Sequence, residues 1–287
     1  MEADYGADDR DQAGRIESDL VGPRQPLQSL VDRYRAGSPA LAGRLAALAP
    51  SFPACRPVTG DGNCFYRGFL FALLEALLEA PLLELHARLV SRVRSLRRAL
   101  VSHPLSAARD AGRGADQGAE LLLSLLSRVW YAPGASGAHQ APQQGRHDHQ
   151  PAQPPQQASP LFKPELEAAL SRRAAFDPIV QFARLAASLE LRRNEAAYTP
   201  FVAGCGDAYA GLGLAEICER HVERMGQEVE QLQMAALAAA LGVTVGVIDV
   251  AGSETGVVRH PAGEVEPLFF LVHLPGHYEI CYRNPSL

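Results

Sequence analysis

One cysteine of the sequence stands where a thiol could act as a nucleophile. Cys64 follows Asp61, Gly62 and Asn63 and precedes an apolar stretch whose large side chains recur at three- and four-residue spacing. This spacing predicts a buried helix over residues 65–78, with Cys64 at its N-terminus. Because the free amides and aligned dipoles of a helix N-terminus favour negative charge, we expect a thiol pKa below the usual value of about 8.5. A capped core helix with an inert buried cysteine is the alternative interpretation.

The residues before Cys64 have the types that an oxyanion-binding loop needs. Asp61 and Asn63 are good helix N-cap residues, and Gly62 permits a sharp turn without a side chain that would crowd a substrate. The loop Asp61, Gly62, Asn63 and Cys64 is therefore predicted to present backbone amides to a developing oxyanion.

A candidate general base lies near the other end of the chain. In the predicted strand that ends the sequence, His277, Glu279 and Cys281 share one face. A carboxylate two residues from an imidazole can bind its second ring nitrogen and so fix its tautomer and orientation. His273 is a rival base, but Pro275, two residues beyond it, offers no such acceptor. A hydrogen-bonded structural histidine is the alternative for either position.

These residues are part of a wider resemblance. The sequence resembles the otubains, a branch of the ovarian-tumour-type (OTU) cysteine proteases that remove ubiquitin from proteins. The similar segments run in order along most of the chain from about residue 26: Gly60-Asp61-Gly62-Asn63-Cys64-Phe65-Tyr66-Arg67, Phe201-Val202-Ala203-Gly204, Val222-Glu223-Arg224-Met225-Gly226, the passage from Ala235 to Val247, and Pro275-Gly276-His277-Tyr278. Such a collinear set is far more specific than a single Asp-Gly-Asn-Cys motif.

The resemblance implies a role for each candidate residue. Cys64 would be the nucleophile, His277 the general base, and Asp61 an active-site residue that shapes the oxyanion loop. The position two residues beyond the histidine, usually Asp or Asn in this branch, is Glu279 here. The implied reaction is hydrolysis of isopeptide bonds at the ubiquitin C-terminus, on polyubiquitin chains of the proteasome-targeting linkage, without a metal or an organic cofactor.

The sequence also departs from the family where otubains commonly carry Ser-Asp-His and a further His, a region linked to holding the distal ubiquitin. These positions are Val229, Glu230, Gln231 and Gln233 in this chain. Two other functions therefore stay open. One is a non-catalytic module that binds ubiquitin or a ubiquitin-conjugating enzyme and inhibits ubiquitination; the other is cleavage of a different ubiquitin-like modifier.

Composition narrows the possible partners and locations. The 287 residues are 47% hydrophobic with a formal net charge of -5, which suits one large core and argues against broad nucleic-acid affinity. Five cysteines without Cys-x-x-Cys spacing favour a reducing compartment over a disulfide framework or a zinc site. No membrane-spanning run or signal peptide is apparent. We expect a monomer in the cytoplasm, with the nucleus as a second candidate location, and with ubiquitin, polyubiquitin and conjugating enzymes as partners.

The chain divides into a tail, a catalytic domain and an insertion. Residues 1–25 are polar and charged and are predicted to be disordered, whereas residues 26–287 form the domain. Residues 132–160 are almost wholly Pro, Gln, Gly, Ala, Ser and His, which cannot build a core, so a flexible surface insertion is expected. Its histidines 139, 147 and 149 lack the fixed geometry of a metal site.

The remaining periodicity predicts an α+β domain. Short amphipathic helices are expected on either side of Gly37-Ser38-Pro39, and others over residues 82–101, 117–131, 164–173, 178–191, 214–225 and 229–241, the last capped by Gly242. Strands are expected at residues 243–250, near 257–258, at 268–274 and at 278–282. A helix-borne cysteine would then face a sheet-borne histidine, as in papain-like cysteine proteases, with a mixed or antiparallel sheet flanked by helices.

Overall fold

The computed structural model describes residues 19–103, 109–129, 159–202, 209–252 and 255–286. They form the predicted α+β fold, built around one six-stranded sheet. The strands are β1 (Gln25–Pro26), β2 (Ala54–Arg56), β3 (Val245–Asp249), β4 (Gly256–His260), β5 (Phe269–Leu274) and β6 (His277–Tyr282), in the spatial order β1-β2-β6-β5-β3-β4. Only the β3–β5 pair is parallel among these neighbours.

Helices cover both faces of this sheet. They are α1 (Leu27–Arg35), α2 (Pro39–Leu48), α3 (Cys64–Glu79), α4 (Leu83–Ser102), α5 (Arg109–Ser127), α6 (Lys163–Leu170), α7 (Arg173–Arg193), α8 (Glu195–Val202), α9 (Leu214–Ile217) and α10 (Gln231–Leu241), with a π-helical turn at Cys218–Val222 after α9. Gly242 ends α10 in the left-handed conformation, with φ 69°, which confirms the predicted cap.

Two apolar cores follow from the alternation of side chains along the strands. On one face Leu271, Tyr278 and Ile280 pack with α3 and the larger set of helices. On the other face Val272 and Cys281 pack with α1 and α2. Successive residues along β6 therefore face different helices. His277, Glu279 and Cys281 share one face of the strand, as predicted, and Tyr278 and Ile280 lie on the other.

Several expectations about the elements are wrong, and the following have local physical reasons. Strands β1 and β2 were not predicted, because two or three residues are too short to show alternation. Helix α5 begins at Arg109, well before the expected start at residue 117, and so runs through the glycines that precede this position. In the same helix Gly118 lies against the carbonyl of Pro178 in α7, so closely that a Cβ would clash, and the glycine allows the two helices to approach. The single helix expected over residues 214–225 is instead α9 and the π-helical turn.

The expected N-terminal boundary also changes. Leu20 and Val21, within the stretch predicted to be disordered, are buried in the larger core. The amide of Gly22 donates to the carbonyl oxygen of Pro57 at 2.8 Å. Residues 1–18 and most of the predicted insertion, including its three histidines, lie outside the described residues. In the described part of the chain, no helix is long and apolar enough to cross a membrane.

Candidate active site

Cys64 is the first residue of α3, as predicted, and its side chain is buried at the edge of the larger core. Burial raises the pKa of the thiol, and the nearby charge of Asp61 acts in the same direction. The backbone N–H groups of Tyr278, Phe65 and Cys64 itself face the sulfur and oppose this effect. The expected lowering of the pKa toward neutrality is therefore wrong for the free protein, because desolvation outweighs the helix N-terminus.

Asp61 is held by two arginines beside this helix. Its carboxylate accepts hydrogen bonds from Arg67 at 2.5 Å and from Arg173 at 2.6 Å. It also accepts the backbone N–H of Asn63 at 3.1 Å. Although burial opposes ionisation, these bonds keep the pKa of Asp61 below its ordinary value. The aspartate thus fixes the turn before Cys64. One backbone amide of the loop, that of Asn63, is already hydrogen-bonded to Asp61.

One further arginine, Arg184, holds the same turn. The fully buried guanidinium of Arg184, in α7, donates to the Asn63 side-chain oxygen at 2.9 Å and to the Gly62 carbonyl at 2.7 Å. Asn63 Oδ1 also accepts the N–H of Gly226 at 3.0 Å. Gly62 has φ 74° and its Cα lies so close to the Gly226 carbonyl that a Cβ would clash. Asn63 stands at the N-cap position, yet its side chain ties two loops together instead of capping α3.

His277 and Glu279 lie together on the opposite side of β6 from Tyr278. His277 Nε2 is 3.8 Å from Glu279 Oε1, which is near but longer than a hydrogen bond. The other ring nitrogen, Nδ1, faces Gly60, where a Cβ would lie only 3.2 Å away. Burial lowers the pKa of His277 to about 4, and the charge of Arg33 lowers it further, while Asp61 opposes them. The imidazole is therefore neutral at physiological pH.

Glu279 is fully buried and has a partner that the sequence did not suggest. Its Oε1 accepts a hydrogen bond from Arg33, in α1, at 2.5 Å. Its Oε2 is buried without a hydrogen-bond partner. Burial raises the pKa of Glu279, and Arg33 counters the rise by its charge and its hydrogen bond.

His273 also has a carboxylate partner, so the reason for setting it aside was wrong. Asp249 lies directly opposite it on β3, and its Oδ1 is 3.1 Å from His273 Nδ1. The ring of His273 stacks on Tyr278, with ring centres 4.7 Å apart. Together with Cys64, His273 lines a cavity of about 100 Å³. The backbone amide next to His277 reaches the thiol, whereas the His273 ring is stacked on Tyr278 and bound to Asp249.

The structure therefore brings Asp61, Gly62, Asn63 and Cys64 into one turn and places the amide that follows His277 at the thiol. Sequence reasoning missed the supporting arginines at positions 33, 67, 173 and 184. Two of them gave a signal, because Arg67 and Arg184 each interrupt an apolar helical stretch and a charge there needs a buried partner.

Comparison with known proteins places this arrangement in a family. The family model described as Peptidase C65 Otubain matches residues 15–129 and 154–283. An "OVARIAN TUMOR DOMAIN-containing deubiquitinating enzyme 1" from Arabidopsis thaliana is 27% identical over 93% of this chain and 81% of its own length. "Ubiquitin thioesterase OTUB1" from Homo sapiens is 31% identical over 42% of each chain.

Solved structures show the same fold. A chain in a complex of h/ceOTUB1 with ubiquitin aldehyde and UBC13~Ub matches with a TM-score of 0.70 at 22% identity, over 93% of this chain and 92% of that chain. A chain in the corresponding complex with UBCH5B~Ub has a TM-score of 0.67 at 23% identity, over 93% and 91% of the two chains. The matched sequence segments include the Cys64 turn and the His277 strand. The protein belongs to the peptidase C65 otubain family.

Proposed function

We propose that this protein is a deubiquitinating cysteine peptidase, which hydrolyses the isopeptide bond between a ubiquitin C-terminus and a lysine side chain. The observation that carries the proposal is the position of Cys64, at the N-terminus of α3 with the amide next to His277 facing its sulfur. The family and the activity named for its relatives support the substrate.

The protonation states of the free protein define the first step. With the pKa of the thiol raised and that of His277 about 4, both groups are neutral at physiological pH. His277 then takes the proton from Cys64 as sulfur attacks the carbonyl carbon. Backbone amides of the Cys64 turn stabilise the oxyanion, and removal of one such donor costs roughly 3 to 4 kcal/mol in comparable sites. His277 gives its proton to the departing lysine amine, and water hydrolyses the thioester with His277 as base.

The finer proposal is preference for the proteasome-targeting chain linkage, and the altered positions before α10 bear on it. Val229 and Gln233 are buried, and Gln233 donates to the hydroxyl of Tyr209 at 2.5 Å. Its Oε1 accepts the Glu230 amide at 3.2 Å. Of these four positions, only Glu230 and Gln231 are exposed at the surface. We therefore expect a weaker or altered linkage preference.

A second candidate function is binding of a ubiquitin-conjugating enzyme, with or without catalysis. It is favoured by the fold shared with chains solved together with UBC13~Ub and UBCH5B~Ub. The complete set of thiol, imidazole and carboxylate argues against binding as the sole function.

Unpaired cysteines at the four described positions suit the reducing cytoplasm, which we propose as the location.

The test is cleavage of a panel of di-ubiquitins of different linkage, alongside a di-conjugate of another ubiquitin-like modifier. We expect cleavage of di-ubiquitin by the wild-type protein and none by Cys64→Ala. Wild-type protein that binds a charged conjugating enzyme but cleaves no di-ubiquitin would favour the binding function. Cleavage of the other modifier alone would reassign the substrate.

A further inference from the structure

Arg33 does not line the cavity beside Cys64, yet it contacts Glu279, the carboxylate next to the proposed base His277. It projects from α1, a helix packed on the face of the sheet opposite α3. Its guanidinium is 2.5 Å from Glu279 Oε1, whereas the imidazole Nε2 is 3.8 Å from the same oxygen. The Arg33 side chain is 47% exposed and the Glu279 side chain is 0% exposed. A half-exposed guanidinium thus binds a fully buried carboxylate.

The surroundings of Glu279 make Arg33 its main source of charge compensation. The other titratable groups near the carboxylate are Tyr34 on α1, Cys55 on β2 and Cys281 on β6, none of which carries a positive charge. His277 is neutral, and Asp61 is the other charged group that acts on it. A buried carboxylate without a cation takes up a proton, so loss of Arg33 would leave Glu279 poorly suited to stabilise an imidazolium.

We propose that Arg33 is a positioning residue of the active site, which holds the Glu279 carboxylate beside His277 and keeps that carboxylate charged. The inference rests on the proposed function, since His277 is taken as the base. It makes α1 part of the catalytic machinery although α1 supplies no reacting group. Its charge also disfavours premature protonation of His277, so the arginine keeps both neighbours in their working protonation states.

The helix provides a matched control. Arg35 lies two residues along α1 and is paired with Asp32 at 2.8 Å, with 67% of its side chain exposed. We would compare wild type, Arg33→Ala, Arg33→Lys, Arg35→Ala, Glu279→Gln and the double variant Arg33→Ala/Glu279→Gln. The readouts are kcat and KM across pH, with a fluorogenic C-terminal amide of ubiquitin as substrate, and the melting temperature.

We expect Arg33→Ala to lower kcat about tenfold with little change in KM. The acid limb of the pH profile should move up by about one unit, because the Arg33 charge lowers the pKa of both His277 and Glu279 and both must be deprotonated for activity. Arg33→Lys should recover part of the loss, and Arg35→Ala should match wild type. In the Glu279→Gln background, Arg33→Ala should lower kcat much less than in wild type, because the carboxylate it holds is gone.

Three results would overturn the inference. A rise in KM with an unmoved acid limb would make Arg33 a substrate-binding residue. Equal losses in kcat with and without Glu279 would show that it does not act through that carboxylate. Activity lost by Arg33→Ala and Arg33→Lys only in step with melting temperature would make its role structural. Inactive wild-type protein would instead refute the proposed function, which keeps the two failures apart.

Discussion

Two histidine–carboxylate pairs lie at the same end of the sheet, on opposite sides of it. His277 and Glu279 belong to one strand and are held 3.8 Å apart between α1 and the loop before Cys64, with 18% and 0% of their side chains exposed. His273 and Asp249 belong to neighbouring strands, are 3.1 Å apart and are both partly exposed. The shorter pair is thus the less buried one. Separation alone would select His273 as the base, whereas the environment selects His277.

The difference lies in what surrounds each imidazole. His277 has Gly60 next to its Nδ1, and the carboxylate 3.8 Å from its Nε2, that of Glu279, is bound by the Arg33 guanidinium. The Cys64 turn is held by the buried arginines Arg67 and Arg184. His273 stacks on Tyr278 and binds Asp249, which is sufficient for a structural histidine. We therefore propose His277 as the base, because its surroundings are fixed and the next backbone amide, that of Tyr278, faces the Cys64 sulfur.

The largest expected effect separates the two imidazoles directly. His277→Ala should lower kcat/KM for di-ubiquitin by about 10³-fold, since a general base contributes on that order. His273→Ala, the matched control, should have a far smaller effect. Steady-state kinetics on both variants, with melting temperatures to check folding, measures the contrast. A greater loss for His273→Ala would exchange the roles of the two pairs.

Glu279 and Asp249 can be compared in the same way through neutral isosteres. Glu279→Gln should lower kcat about tenfold and move the acid limb to lower pH, because a charge that stabilises the imidazolium is removed. Asp249→Asn should change neither. Glu279→Asp should retain the acid limb, since it keeps the charge and matches the side chain usual in the family. Coincident pH profiles for all variants would show that Glu279 does not orient His277.

A substitution at Gly60 disturbs the position of the His277 ring without removing any side chain of the site, so we expect a smaller effect. Gly60→Ala places a methyl group 3.2 Å from Nδ1, closer than an ordinary contact, so the imidazole must shift by a few tenths of an ångström. We expect kcat to fall several-fold with KM nearly unchanged, because small misplacements of a base are costly. Gly43→Ala, at a position with open space, is the control. Unchanged kcat would mean that the ring is not confined by this loop.

The smallest effect concerns stability. The pKa of His277 and of buried His260 is about 4 in the folded protein, against about 6.5 when unfolded. The unfolded chain therefore binds more protons, and stability should be lost as pH falls from about 6.5 toward 4. His277→Gln and His260→Gln should each flatten this dependence, measured by chemical denaturation at several pH values. An unaltered slope in both variants would contradict the burial of these rings.

Much of the fold could be predicted because the spacing of apolar residues along the sequence distinguishes helices from strands. The apolar spacing after Cys64 gives α3, and the β-branched run before Asp249 gives β3. The spacing along β6 also places His277 beside Glu279. Contacts between distant segments could not be predicted in this way. Asp249 reaches His273 only through strand pairing, and Arg33 reaches Glu279 only through the packing of α1.

The pKa shift of the Cys64 thiol and the arginines around its turn also could not be predicted from the sequence. The position of Cys64 at a helix N-terminus suggested a lowered thiol pKa, but the degree of burial decides the direction of the shift. Burial is set by all the segments around the sulfur, including Tyr278 from the far end of the chain. The arginines that fasten the Cys64 turn come from α3 and α7, and no local pattern links them to it.

The most direct test of the account is covalent labelling with a ubiquitin that carries a thiol-reactive C-terminal group. Wild type, Cys64→Ala, His277→Ala and His273→Ala would be compared by labelling rate, and the modified residue identified by peptide mass spectrometry. We predict a single adduct on Cys64, none in Cys64→Ala, slow labelling of His277→Ala and near-normal labelling of His273→Ala. An adduct on Cys55 or Cys281, or labelling that survives in Cys64→Ala, would contradict the assignment of the nucleophile.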